Sequence, residues 1–346
     1  MRSILILLLF LQQMGHAQDF DAVLKAYPSF DGVVGIAAGN KLEFIGAKGI
    51  ADRQHNVKIT PQIKFKICSI TKTFTAVLLL QLVEQGKLDL NATIGQYLPW
   101  YTGEGRDKVT LHHLLTYSSG IPNCEGNTGM EVYQREILTD DFIKAYCSGK
   151  LEFEPGSRFN YDNGAYIILG RIIEGVTGKS FPENLREKIL RPCGMNKADF
   201  LADFDIVEGL ANSYWLDDST KVLKNDVPYF IQNYGAAAAM YNTVEDLMKF
   251  DEALFSGKLL QKKTLDLMLT PYPELYGVAY GFWVYELELE GKKYRAADRQ
   301  GSIWGSNATW LHLIDAQKTV IILSNTNISD LGEIRNKLLG VSLKKK

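Results

Sequence analysis

The chain has 346 residues, 46% of them hydrophobic and 23% charged, with a formal net charge of −2. This balance describes a folded domain able to bury a sizeable core, and it excludes a disordered polyelectrolyte and the basic footprint of a nucleic-acid binder. At the N-terminus, Arg2 precedes an apolar run from Ile4 to Leu11, and Gly15-His16-Ala17 then places small residues at the −3 and −1 positions of a cleavage site. That pattern predicts a secretory signal peptide over residues 1–17, too short for a membrane span of about 20 residues. The mature chain, 18–346, is expected in the periplasm or outside the cell, with no integral membrane span.

Val33 to Ala38 and Leu42 to Ala47, separated by Gly39-Asn40-Lys41, read as a β-hairpin. Next comes Ser69-Ile70-Thr71-Lys72 at the head of a helix whose apolar face is Ile70, Phe74, Val77, Leu78, Leu80 and Leu82, stopping at Gln85-Gly86. A loop from Glu154 to Gly164, rich in Pro, Gly and Asn, carries Tyr161-Asp162-Asn163 and leads into the apolar helix Tyr166 to Glu174. Helical patterns dominate from Ile70 to about Leu269, and strands return at Tyr280 to Leu287, Tyr294 to Arg299, Ala308 to Leu313 and Thr319 to Ser324. The expected fold is α/β of the α+β type: an antiparallel sheet from both chain ends (18–67 plus 272–346) flanked by helices, with an inserted, mostly helical part (68–271) and the site where the two meet.

A serine hydroxyl is a weak nucleophile near neutral pH and needs a positioned base, which a lysine three residues along a helix can supply. The helix N-terminus also favours developing negative charge at Ser69. Spacing alone is not specific, since Ser342-Leu343-Lys344-Lys345 repeats it in a basic tail. An N-capping serine beside a solvated lysine is the structural alternative, as half-buried packing is for Tyr161.

The ordered set of segments decides between them. S-x-x-K, then Y-x-N about ninety residues later at a loop-to-helix junction, resembles the serine β-lactamase and penicillin-binding-protein superfamily, and more narrowly its class C β-lactamase, DD-peptidase and esterase branch. Leu111 to Pro122 is similar to the family's LLTHTSGLP turn, Gly178-Lys179-Ser180-Phe181 with Pro192-Cys193-Gly194-Met195 to its TGxS and PLGM stretch, and Gly235 to Leu247 to AGGLxSTxxDL. The third family motif, K-T-G or H-x-G, is best matched by Arg299-Gln300-Gly301, followed by Ser302. The resemblance implies Ser69 as acyl-accepting nucleophile, Lys72 and Tyr161 as general base and acid, and Asn163 as orienter of Lys72 or substrate. It also implies an oxyanion hole from the backbone N–H groups of Ser69 and Ser302. Arginine at 299 keeps the charge but does not release a proton, and its fork of donors suits a substrate carboxylate.

Other residues carry less. His112 and His113 are adjacent and diverge on any regular element, so no metal site is expected, and no cofactor. Asp246 reads as charging a helix start, Trp304 as a wall of the site or as packing, and Cys68 as a small buried residue. Of the four cysteines, Cys124 and Cys147 are the pair to examine for a disulfide. The expected function is an exported serine hydrolase working through a Ser69 acyl-enzyme on a peptidoglycan peptide, ester or β-lactam. The altered third motif favours DD-peptidase-like or esterase-like activity over efficient β-lactam hydrolysis. The alternative is a catalytically silent member that binds penicillin or peptidoglycan without turnover.

Overall fold

The computed structural model describes residues 18–344, so the expected signal peptide lies outside the described residues. Six strands form the main sheet: β1 (Gly32–Ala38), β2 (Lys41–Lys48), β3 (Trp283–Leu289), β4 (Lys292–Ile303), β5 (Ser306–Leu313) and β6 (Lys318–Ser324). Their order is β3-β4-β5-β6-β1-β2, every pair antiparallel. The N-terminal hairpin therefore joins the C-terminal meander through β1 and β6, in register from Gly32↔Ser324 to Ala38↔Lys318.

Both faces of this sheet are covered, which is why β6 reads as the unbroken run Val320-Ile321-Ile322-Leu323. Val34, Ile36, Val320 and Ile322 pack with Phe20 and Leu24 of the helix at 18–25 and with Ile334 and Leu338 near the C-terminus. Val33, Trp310, Ile321 and Leu323 point the other way, into the larger core beneath the helical part. Four helices frame that arrangement: α1 (Thr71–Glu84), α2 (Asn163–Thr177), α3 (Val244–Phe255) and α4 (Leu331–Leu343). Helix α3 lies close against β1 because Gly35 has no side chain; a Cβ there would collide with Val244.

One expectation changes here. Helix α1 has no single apolar face: Thr71, Lys72, Thr73 and Thr75 are as buried as Phe74 and Val77. It is the central helix of the core, and two of its threonines are satisfied internally, Thr73 Oγ1 donating to the Gly281 carbonyl at 2.7 Å and Thr75 Oγ1 to that of Ala236 at 2.6 Å. The inserted part is mostly helical, as expected, with a few short strands. It contributes the short strands Asp199–Phe200 and Met240–Asn242 to a second sheet with Phe65–Lys66, and the hairpin Tyr214–Leu216 with Leu223–Asn225. Runs of two or three residues carry too little alternation to be read as strands.

Candidate active site

Ser69 sits in the 3-10 turn Cys68–Ile70, which runs directly into α1. Cys68 adopts a left-handed backbone, φ 49°, with its side chain fully buried. Such a conformation is costly for a non-glycine residue and turns the chain sharply just before the serine. Burial pushes the Cys68 thiol up to about 12, so it stays protonated and structural. Lys72, the second residue of α1, brings Nζ to 3.2 Å from Ser69 Oγ.

Tyr161 and Asn163 flank a helix cap. Asp162 accepts hydrogen bonds from the backbone N–H groups of Gly164 and Ala165, starting α2 and fixing its two neighbours toward Ser69. Tyr161 Oη lies 2.8 Å from Ser69 Oγ. Asn163 Oδ1 accepts from Lys72 Nζ, while its Nδ2 donates to Glu125 Oε1. A carboxylate only accepts, so Glu125 fixes which way the Asn163 amide points.

The Lys72 ammonium has three hydrogens and meets three acceptors: Ser69 Oγ at 3.2 Å, Asn163 Oδ1 at 2.5 Å and the Ala237 carbonyl at 3.1 Å. Burial lowers the lysine's affinity for its proton and the charge of Arg299 adds to this, while Tyr161 and Glu125 oppose the loss without reversing it. Tyr161 is also buried, which by itself raises a phenol, but the positive charges of Lys72 and Arg299 outweigh that and bring it down to about 8. One hydroxyl, Ser69, thus lies between an ammonium that donates to it and a phenol poised to accept from it.

Arg299 is fully buried, and three of its five N–H donors are held by the protein: Nε by the Ser69 carbonyl at 2.7 Å, Nη1 by Tyr117 Oη and Nη2 by Tyr161 Oη, each at 3.2 Å. The guanidinium is thus tied to the Ser69 backbone and to two phenols. Its neighbour Asp298 bonds to Arg335 and Tyr285. Strand β4 outruns β3, whose last pair is Trp283↔Asp298, so Arg299 to Ile303 are unpaired with β3 along that edge. Gly301 lets this edge approach: a Cβ there would strike the Ile67 carbonyl and lie 2.9 Å from the Ser69 nitrogen. Ser302 follows on the same edge.

Ser69, Tyr161, Asn163, Gly301 and Ser302 share one cleft of about 930 Å³, walled by Trp283 and Trp304 and also lined by Glu125. Residues outside it are accounted for locally. Ser342, buried in α4, donates to Glu43 at 2.6 Å, and His112 bonds Tyr280 Oη at 2.7 Å. Asp246, in the first turn of α3, accepts from the Lys197 backbone and pairs with Lys249. Cys124 and Cys147, the pair singled out for a disulfide, are both free thiols. Sequence reasoning missed Glu125, Tyr117 and the Ala237 carbonyl. Tyr117 stood inside the recognised Leu111 to Pro122 segment, whereas nothing local marked Glu125.

The beta-lactamase family model matches residues 20–342. Penicillin-binding protein PbpX of Bacillus subtilis is 30% identical over 312 residues, 89% of this chain and 74% of that protein. A teichoic acid D-alanine hydrolase of Staphylococcus aureus is 27% identical over 259 residues, 73% of this chain and 62% of that protein. A crystal structure of a penicillin-binding protein from Bacillus halodurans superposes with a TM-score of 0.80, covering 94% of this chain and 98% of that one at 24% identity. With the same antiparallel sheet and helices, and a family match over nearly its whole length, the chain belongs to the beta-lactamase family.

Proposed function

We propose that this protein is an exported serine hydrolase that cleaves an ester or amide through an acyl-enzyme on Ser69, and that it stands with the class C-like branch of its family. The observation that carries this reading is the Ser69 hydroxyl held between Tyr161 Oη at 2.8 Å and Lys72 Nζ at 3.2 Å. In this scheme Tyr161, brought down to about 8, takes the Ser69 proton as Oγ attacks the substrate carbonyl carbon. Lys72 remains an ammonium, stabilising the phenolate before the transfer and the developing alkoxide during it.

The carbonyl oxygen would become an oxyanion between the backbone N–H groups of Ser69 and Ser302, each such donor contributing roughly 10²–10³ in rate. Tyr161 then returns the proton to the leaving oxygen or nitrogen, and water hydrolyses the ester by the same steps. Asn163 keeps Lys72 in place, and Arg299 acts as a positioning residue. Residues 1–17 would serve as export signal and 18–346 as the hydrolase domain. A relative named as a teichoic acid D-alanine hydrolase supports acyl transfer at the bacterial surface as the setting.

Treatment of the mature protein with an activated serine-reactive phosphonate, followed by intact and peptide mass spectrometry, tests the reading. A single adduct on the peptide containing Ser69, absent in Ser69→Ala, is expected. An adduct elsewhere, or none, overturns it.

A further inference from the structure

The charges that line the cleft are one-sided. Its ionisable carboxylates are Glu125, Asp298 and Asp330, and among the described residues no lysine or arginine lines it; Lys72 and Arg299 sit behind its wall, hydrogen-bonded to the protein. Two of the three acids are already used. Asp298 is held by Arg335 at 2.9 Å and by the Tyr285 hydroxyl, and Asp330 caps α4 through the Glu333 backbone N–H at 3.0 Å.

Glu125 is different. Its Oε1 accepts from Asn163 Nδ2 and from Tyr133 Oη, the latter at 2.7 Å, which fixes the carboxylate in place. Its Oε2 has no hydrogen-bond partner and Glu125 has no ion pair among the described residues, although the side chain is partly buried and shares the cleft with Ser69. Tyr133, stacked on Tyr234 at 3.6 Å between ring centroids, makes the support rigid. A fixed, partly desolvated carboxylate with one free oxygen is suited to a cation that arrives with the substrate. Asn163 spans the gap, with Lys72 and the nucleophile on one side and Glu125 on the other. An acyl group lying across Asn163 with its carbonyl at Ser69 would direct a group near its α-carbon toward Glu125.

We propose that Glu125 is a specificity residue that binds the ammonium group of the acyl half of the substrate, so that the enzyme prefers aminoacyl esters or amides over acyl donors that are neutral or carry a carboxylate. This rests on the Ser69 hydrolase reading above. A carboxylated acyl group would meet Glu125 with no cation on the cleft wall to offset the repulsion.

The test uses p-nitrophenyl esters of three acyl types: alanyl in both enantiomers, N-acetylalanyl, and succinyl. At pH 6.5, below the roughly 7.7–8.0 of an α-amino group, kcat/KM for the better alanyl ester should exceed that for the other two by about tenfold or more. The ratio should fall as pH rises past 8 and the amine loses its charge. Glu125→Gln should lower the alanyl to N-acetylalanyl ratio by about tenfold or more, and Glu125→Asp should retain part of it. Equal losses for all three esters in Glu125→Gln would show that Glu125 acts only by holding Asn163, and would overturn the proposal. So would a wild-type preference for the succinyl ester. Phosphonate labelling of Ser69 in the same preparations separates the two levels: labelling without an alanyl preference removes the ammonium site alone, and absence of labelling removes the hydrolase reading beneath it.

Discussion

The Arg299 guanidinium donates to Tyr161 Oη at 3.2 Å, while its Nε holds the Ser69 carbonyl at 2.7 Å. One buried cation thus fixes both the distance between nucleophile and phenol and the charge that the phenol feels. The Arg299 ring contacts are consistent with this role: Cζ lies 5.0 Å from the Trp283 ring and 5.9 Å from that of Tyr161.

That relationship sets a pH dependence. With Tyr161 as the base and its phenol at about 8, kcat/KM should rise with pH and reach half its plateau near that value. Arg299→Gln removes a positive charge beside the phenol, which disfavours the phenolate, so the midpoint should move to higher pH; Arg299→Lys should move it less. A pH–rate profile for a neutral ester in the three proteins reads this directly. Identical midpoints would show that Arg299 does not tune Tyr161.

In the proposed scheme Lys72 and Tyr161 share one proton-transfer unit around Ser69, so their losses should not add. Lys72→Met and Tyr161→Phe are each expected to lower the acylation rate roughly 10²-fold or more, and the double variant to be little worse than the poorer single one. Burst-phase kinetics with an activated ester would measure all three. Multiplicative losses would mean that the two side chains act at separate steps.

Gly301 is the point where β4 meets the nucleophile turn. Gly301→Ala would press a methyl into the Ile67 carbonyl and the Ser69 nitrogen, at a stability cost of about 1–3 kcal/mol for overpacking. A displacement of about 1 Å at Ser69 is enough for a loss on the order of 10²-fold. Thermal unfolding should therefore show a folded, modestly destabilised protein whose phosphonate labelling is far slower. Labelling at the parent rate would place the β4 edge away from the reacting atoms.

What the sequence made legible follows contact order along the chain. Ser69 and Lys72 could be paired because three residues on a helix bring side chains together whatever the rest of the fold does. The β1–β2 hairpin was legible from two apolar runs around a short Gly-Asn turn. The bonds of Arg299 could not be read from spacing because its partners lie far away in sequence, Tyr117 by 182 residues and Tyr161 by 138. The same distance hid Glu125, whose role depends on Asn163, 38 residues on. Helix α1 looked amphipathic because threonine normally marks a wet face, and only the Gly281 and Ala236 carbonyls, brought in by other elements, make those hydroxyls core residues.

The last prediction concerns Asp162, which caps α2 between the two site residues that α2 presents. Burial pushes its carboxyl up to about 7, against the opposing hydrogen bonds from the Gly164 and Ala165 N–H groups. In the unfolded chain the same group titrates near 3.8. Between those values the native state holds a proton that the unfolded state has lost, so the contribution to stability is complete below about pH 4 and is lost as pH rises through about 7. Over that window the change is on the order of 4 kcal/mol, at about 1.4 kcal/mol per pH unit of separation. Asp162→Asn keeps a capping oxygen but does not titrate. Urea unfolding of both proteins from pH 4 to pH 8 should show the variant gaining on the parent as pH increases. A constant difference would mean that the two N–H donors keep Asp162 ionised throughout, with the cap carrying full charge at every pH where the fold is stable.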